Sequence, residues 1–236
     1  MPSKARNALD DNLKDIRCLL ELHTREGETL KGKLYGARQV LSKSAIVLIT
    51  AYWEAYCEDI AAEALEHIVE HSMNSDSLPK ELKKQIAKEL KKELNELAVW
   101  NIADNKWKEL LQTRLTKFQE NRNRRLNTPK SAKIDELFYE SVGIKKISDS
   151  WEIAEDMTAK HSREKLDKFV ELRGAIAHRG QSSKSVQKAE VEEYLDLIKN
   201  LAAKTGWAIN KHVKAVTKKP LYQNKKRRMK VKVNDK

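Results

Sequence analysis

Arg173, His178 and Glu54 are the residues whose type and setting could support chemistry in this 236-residue chain. The stretch 164–179, EKLDKFVELRGAIAHR, puts Leu166, Phe169, Val170 and Ala177 at helical spacing as one apolar stripe, and Arg173 falls on that stripe. A guanidinium aimed at a core costs several kcal/mol unless something pairs with it. His178 follows in the expected last turn, and Gly180 is a natural stop. The pair suits cleavage of an RNA phosphodiester by the neighbouring 2′-hydroxyl. That reaction needs a proton taken from the hydroxyl, a proton given to the leaving oxygen, and charge stabilised at phosphorus. An imidazole titrates near neutral pH, and a helix C-terminus favours its charged form. A fixed guanidinium fits the phosphate oxygens, and no metal is demanded.

The spacing of this pair is a weak signal by itself, and its geometry sets a condition. Five helical positions turn through about 140° and rise about 7.5 Å, so the two side chains do not share a face by default. They converge if the arginine bends along the surface, if the helix distorts near its end, or if a second subunit completes the site. The competing structural reading is a buried arginine paired to a carboxylate, with a solvated histidine at a helix end. Glu54, in the apolar stretch TAYWEAYCEDI, is the carboxylate that most needs such a cation; otherwise it marks a polar edge with Glu58 and Lys43. Glu63 is the rival partner. His67 and His71, four apart with Glu63 one turn earlier, have a metal-compatible spacing, but HIVEH is not the HExxH arrangement and a solvated helix face is the favoured reading.

Charge points toward a phosphate polymer. Residues 218–236 hold nine Lys/Arg against one aspartate, so this end alone carries +8 of the net +12. Lys225, Lys226, Arg227 and Arg228 are candidate substrate-binding residues, with Arg179 beside the motif and Tyr222 as an aromatic able to stack on bases. The plainer reading of the tail is a flexible solubilising end. The cluster NRNRR at 121–125 is further basic surface. No phosphate-cradling glycine loop, serine-hydrolase elbow or short-turn helix-turn-helix is present, which argues against an NTPase, such a hydrolase and a DNA-binding regulator. Cys18 and Cys57 read as small core residues of a reducing compartment. With no signal pattern and no apolar run of membrane-spanning length, a soluble cytoplasmic protein is expected.

The elements that must position these groups are helices. Seven Gly, four Pro and 35% charged residues leave too few turn signals for a sheet. The expected architecture is all-α: an up-and-down bundle of helices at 5–23, 38–71, 158–179 and 186–217. A helical insertion at about 72–145 packs on the bundle or projects from it, within one domain spanning 1–217. Helix 38–71 is apolar around most of its circumference and belongs at the centre. A charged amphipathic helix is expected over 80–98, with Leu82, Ile86, Leu90, Leu94 and Leu97 as its apolar edge.

LRGAIAHRG (172–180) together with AIVLITAYWEAYCEDIAAEAL (45–65) resembles the HEPN superfamily, nearest its RiboL-PSP-type and related prokaryotic branches. The resemblance covers the core helices, about half the chain, and not 72–145 or the tail. Gly174 stands where that family often has asparagine. The resemblance implies a bundle that dimerises through the motif helices and lines one cleft with two Arg–His pairs. It implies a metal-independent endoribonuclease leaving a 2′,3′-cyclic phosphate, acting as a toxin or phage-defence effector, with RNA and a cognate inhibitor or defence partner as binding partners. Arg173 would then hold the scissile phosphate, His178 would be the acid/base residue and Glu54 would orient Arg173. Some members of that superfamily have lost catalysis, so a non-catalytic adaptor binding protein or nucleic acid is the alternative.

Overall fold

The structure, a computed structural model, describes residues 2–29, 34–103, 106–120, 126, 128–179 and 185–223, with backbone alone at 25–29, 34, 35, 101, 178 and 179. The chain is an all-α bundle of seven helices among the described residues: α1 (Lys4–Thr29), α2 (Leu34–His71), α3 (Lys80–Leu90), α4 (Lys106–Glu120), α5 (Ser131–Val142), α6 (Ala159–Arg179) and α7 (Lys188–Thr217). Helix α2 is the axis, and α1, α4, α5, α6 and α7 all pack on it. The reason lies in its sequence. Ala45, Ile46, Ile49, Trp53, Tyr56, Ile60, Ala64, Leu65 and Ile68 are buried and cover more than half of its circumference. Each such large side chain contributes about 1.5–3 kcal/mol by leaving water.

Helix α1 presents the expected stripe of Leu9, Leu13 and Ile16, all buried. Its first turn is tied to the axis, because the Ala5 amide donates to the Glu63 carboxylate. The helix continues past the anticipated end at His23 to Thr29, since a single glycine (Gly27) costs only about 1 kcal/mol against otherwise good helix formers. Cys18 on this helix is exposed, against the core position expected of it, while Cys57 is buried.

The segment 72–145 packs on α2 rather than projecting from it. Leu111, Leu115, Phe118, Ile134 and Phe138 join the same apolar cluster as α1 and α7. The helix anticipated over 80–98 is cut short at Leu90, and a 3₁₀ turn follows at Glu96–Ile102. Leu94 and Leu97 find no apolar surface here, being 103% and 67% exposed. Asn95 meanwhile accepts a hydrogen bond from the Leu97 amide and starts the new turn. Helix α5 stops at Gly143, whose φ of +78° is left-handed; a Cβ there would also lie 3.0 Å from the Leu82 amide nitrogen. Helix α4 ends at Glu120, and the NRNRR cluster lies outside the described residues.

Helices α6 and α7 form the antiparallel pair that carries the motif. Gln187 and Glu190 make a reciprocal capping box at the start of α7. Gln39 holds the approach to it by donating to Val186 O at 3.2 Å and accepting from Val186 N at 3.0 Å. Among the described residues, no helix is long and apolar enough to cross a membrane.

Candidate functional site

The middle of α6 is anchored to two neighbouring helices in the turns before Arg173. Toward α5, Asp167 accepts from the Ser131 amide (2.7 Å) and hydroxyl (3.0 Å), supplying the cap that Lys130 does not give α5. Toward α7, the Phe169 ring stacks on Tyr194 with centroids 4.2 Å apart and planes 11° apart. The Thr50 hydroxyl donates to Ile46 O at 2.8 Å, so its oxygen is left to accept the Tyr194 hydroxyl proton at 3.0 Å. Burial, first of all, drives the Tyr194 pKa up, and the nearby Arg173 charge pulls it back. Thr50, Tyr194 and Phe169 thus form a locked platform from which the next turn of α6 carries Arg173. Leu166, Phe169 and Val170 are buried as expected, but Ile176 takes the last core position and Ala177 faces out.

Arg173 is half-buried, and its Nε is fully enclosed with no hydrogen-bond acceptor among the described residues. Glu54 faces it from α2 without forming an ion pair. The Glu54 carboxyl is pushed up to about 7, first by burial, then by Glu58 one turn along; Arg173 opposes the shift without cancelling it. Glu58 is only 2% exposed, so it does not sit on a solvated polar edge. Cys57, buried between these carboxylates, has its thiol pushed up by burial and by both acids, and is held neutral. Glu54 is therefore close enough to feel both Glu58 and Arg173, with no ion pair to the guanidinium. Sequence reasoning found Arg173 and Glu54. It missed the buried Glu58 and the Thr50–Tyr194 bond, although Thr50, Glu54, Cys57 and Glu58 share one α2 face at i, i+4, i+7 and i+8 spacing.

His178 and Arg179 lie in the final turn of α6 by their backbone, and their side chains are outside the described residues. Beside them the helix surface is bare: a Cβ on Gly174 would meet nothing within 4 Å, and Ala175 and Ala177 are exposed. Lys225, Lys226, Arg227 and Arg228 are also outside the described residues. Tyr222 is described. It is half-buried, its amide donates to Asn210 Oδ1 and its carbonyl accepts from Asn210 Nδ2, both at 3.2 Å.

The remaining candidates separate from this site. Glu63 is engaged by the α1 N-terminus and does not partner Arg173. His67 and His71 stack face to face, 4.3 Å between centroids, and the His67 pKa is lowered by burial and by its neighbour. No group of three His, Cys, Asp or Glu able to hold a metal ion occurs among the described residues.

A family model described as RiboL-PSP-HEPN matches residues 10–210, a range that takes in 72–145 as well as the core helices. No curated protein and no solved structure matches the chain.

Proposed function

This chain belongs to the RiboL-PSP-HEPN family, and from that premise we propose that it is a metal-independent endoribonuclease acting as a homodimer. The observation that carries the reading is Arg173: a guanidinium held in place on a rigid helix, its Nε enclosed, with no protein acceptor among the described residues. An RNA phosphate supplies the missing acceptors. Arg173 holds the scissile phosphate and offsets the charge that grows on its oxygens. His178 moves the protons. The 2′-hydroxyl loses its proton, its oxygen bonds to phosphorus, the bond from phosphorus to the 5′-oxygen breaks, and that oxygen is protonated. The products are a 2′,3′-cyclic phosphate and a 5′-hydroxyl. Glu54 positions Arg173 electrostatically, and Arg179 with Lys225, Lys226, Arg227 and Arg228 adds attraction for the polyanion.

The dimer brings two copies of His178 to one cleft through α6. The bare Gly174–Ala175–Ala177 surface supports this, because it lets a second helix approach closely. The biological setting we propose is cytoplasmic, as a toxin or phage-defence effector controlled by a partner protein. The test is incubation of purified protein with total cellular RNA in EDTA, beside H178A and R173A, with product ends analysed. Cleavage to cyclic phosphate ends by the wild type, lost in both folded variants, is expected; equal cleavage by either variant sinks the reading. A non-catalytic adaptor is the second reading. It is favoured by the exposed Leu94, Leu97, Val99, Trp100 and Ile102 on one short segment. It predicts binding of a partner with no cleavage of any RNA.

A further inference from the structure

Far from the motif, at the other end of α7, an indole stands in water beside a cleft. Trp207 is 54% exposed and lines a cleft of about 470 Å³ with Arg6, Tyr56, Gly206 and Tyr222. Trp53, Trp107 and Trp151 are buried; Trp100 and Trp207 are the exposed ones, and of these two Trp207 borders a cleft. At the cleft, Gly206 lets two tyrosine hydroxyls pack against α7. A Cβ at that position would sit 3.0 Å from the Tyr222 hydroxyl and 3.1 Å from the Tyr56 hydroxyl. Tyr56 is fixed, since its hydroxyl donates to Ala202 O at 2.8 Å.

Cations gather at the same place. The Lys211 ammonium lies 5.1 Å from the centroid of the Trp207 ring. Arg6 uses Nε on both Asp10 oxygens, at 2.9 and 3.0 Å, and its terminal nitrogens make no hydrogen bond among the described residues. An indole with one cation against its ring and the terminal nitrogens of a second cation left over beside it is chemistry that can hold single-stranded nucleic acid.

We propose that the cleft lined by Trp207 and Arg6 is an RNA exosite that stacks one unpaired base of the substrate on the indole face opposite Lys211 and holds its phosphate with Arg6 and Lys211. This rests on the ribonuclease reading for the identity of the polymer. Trp207 lies thirteen residues beyond Tyr194 on α7, about 20 Å from the Arg173 platform along the helix. The exosite therefore grips strand outside the cut position and favours RNAs long enough to reach both places.

The experiment uses the full-length chain carrying H178A, so that binding is read without cleavage, and a labelled single-stranded RNA of twelve nucleotides. Removing a stacking platform weakens binding about 5- to 100-fold. W207A is expected to do so by anisotropy, with an unchanged melting temperature, while W207F retains most of the affinity. K211Q and R6Q should each lower the slope of log affinity against log salt by about one. In the His178-containing protein, W207A should cut long RNA more slowly and a dinucleotide at the normal rate. Equal affinity of W207A and its parent overturns the exosite while leaving the ribonuclease reading intact. A wild-type protein that neither binds nor cuts any RNA overturns both.

Discussion

Arg114 and Arg173 are both half-withdrawn from solvent on helices of one bundle, yet they are treated in opposite ways. Arg114 is saturated: it donates to Glu89, to Gln85 Oε1 at 2.7 Å and to Glu140 O at 2.6 Å, so it ties α4 to α3 and α5. Arg173 has an enclosed Nε with no acceptor, and the carboxylate facing it stops short of contact. The polar contacts around Arg114 are those of a brace, in which every desolvated donor is repaid by a partner. Around Arg173 the same chemistry is left incomplete among the described residues, beside the half-buried Glu54. A fold tolerates such a deficit where a ligand completes it.

The largest effect that tests this contrast is on the reaction. R173A and H178A should each lower kcat/KM on RNA about 10²–10⁴-fold, with R173A melting no lower than the wild type because it removes an unsatisfied group. R173K should not rescue, since an ammonium cannot present the fork. At the saturated arginine the outcomes reverse. R114A should destabilise the chain by about 1–3 kcal/mol in urea unfolding while the turnover of folded protein stays unchanged.

A smaller effect lies in pH. The Glu54 carboxyl is raised from its ordinary 4.5 to about 7, so its contribution to stability is complete below the ordinary value and is lost as pH rises through 7. Allowing for its partial exposure, the loss is about 1–2 kcal/mol. E54Q should therefore gain melting temperature relative to wild type between pH 5 and pH 8, and a constant difference would remove Glu54 from the strained group. The smallest effect is at the α5–α6 anchor: S131A, which deletes one of two bonds to Asp167 and keeps the amide bond, should cost about 1 kcal/mol in urea unfolding and change cleavage far less than R173A.

Much of this contrast was legible before any coordinates. The wide apolar circumference of α2 predicts its place as the axis, and Arg173 is visible as a charge at a stripe position. Its neighbour set was less accessible. Glu58 satisfies the spacing of a solvated edge and of a buried face equally well, and only the packing of α6 and α7 across α2 decides between them. Ala177 and Ile176 exchange core and surface roles because α6 bears on α2 and α7 at an angle that one stripe does not specify. The segment after Leu90 has ample helix propensity, but propensity does not hold a helix whose leucines have nothing to cover. The motif spacing of His178 pointed to the family, and the model match extended it through 72–145, where no residue pattern had shown a resemblance.

One consequence follows from the way α2 serves every neighbour at once. Its buried side chains contact the segment 72–145 on one flank and the motif pair on the other, within a single cluster. Neither flank can come loose without wetting the wall that the other leans on. The scaffold and the platform of the candidate site are therefore expected to melt together, in one all-or-none step, and loosening at the most distant helix will be felt at Arg173.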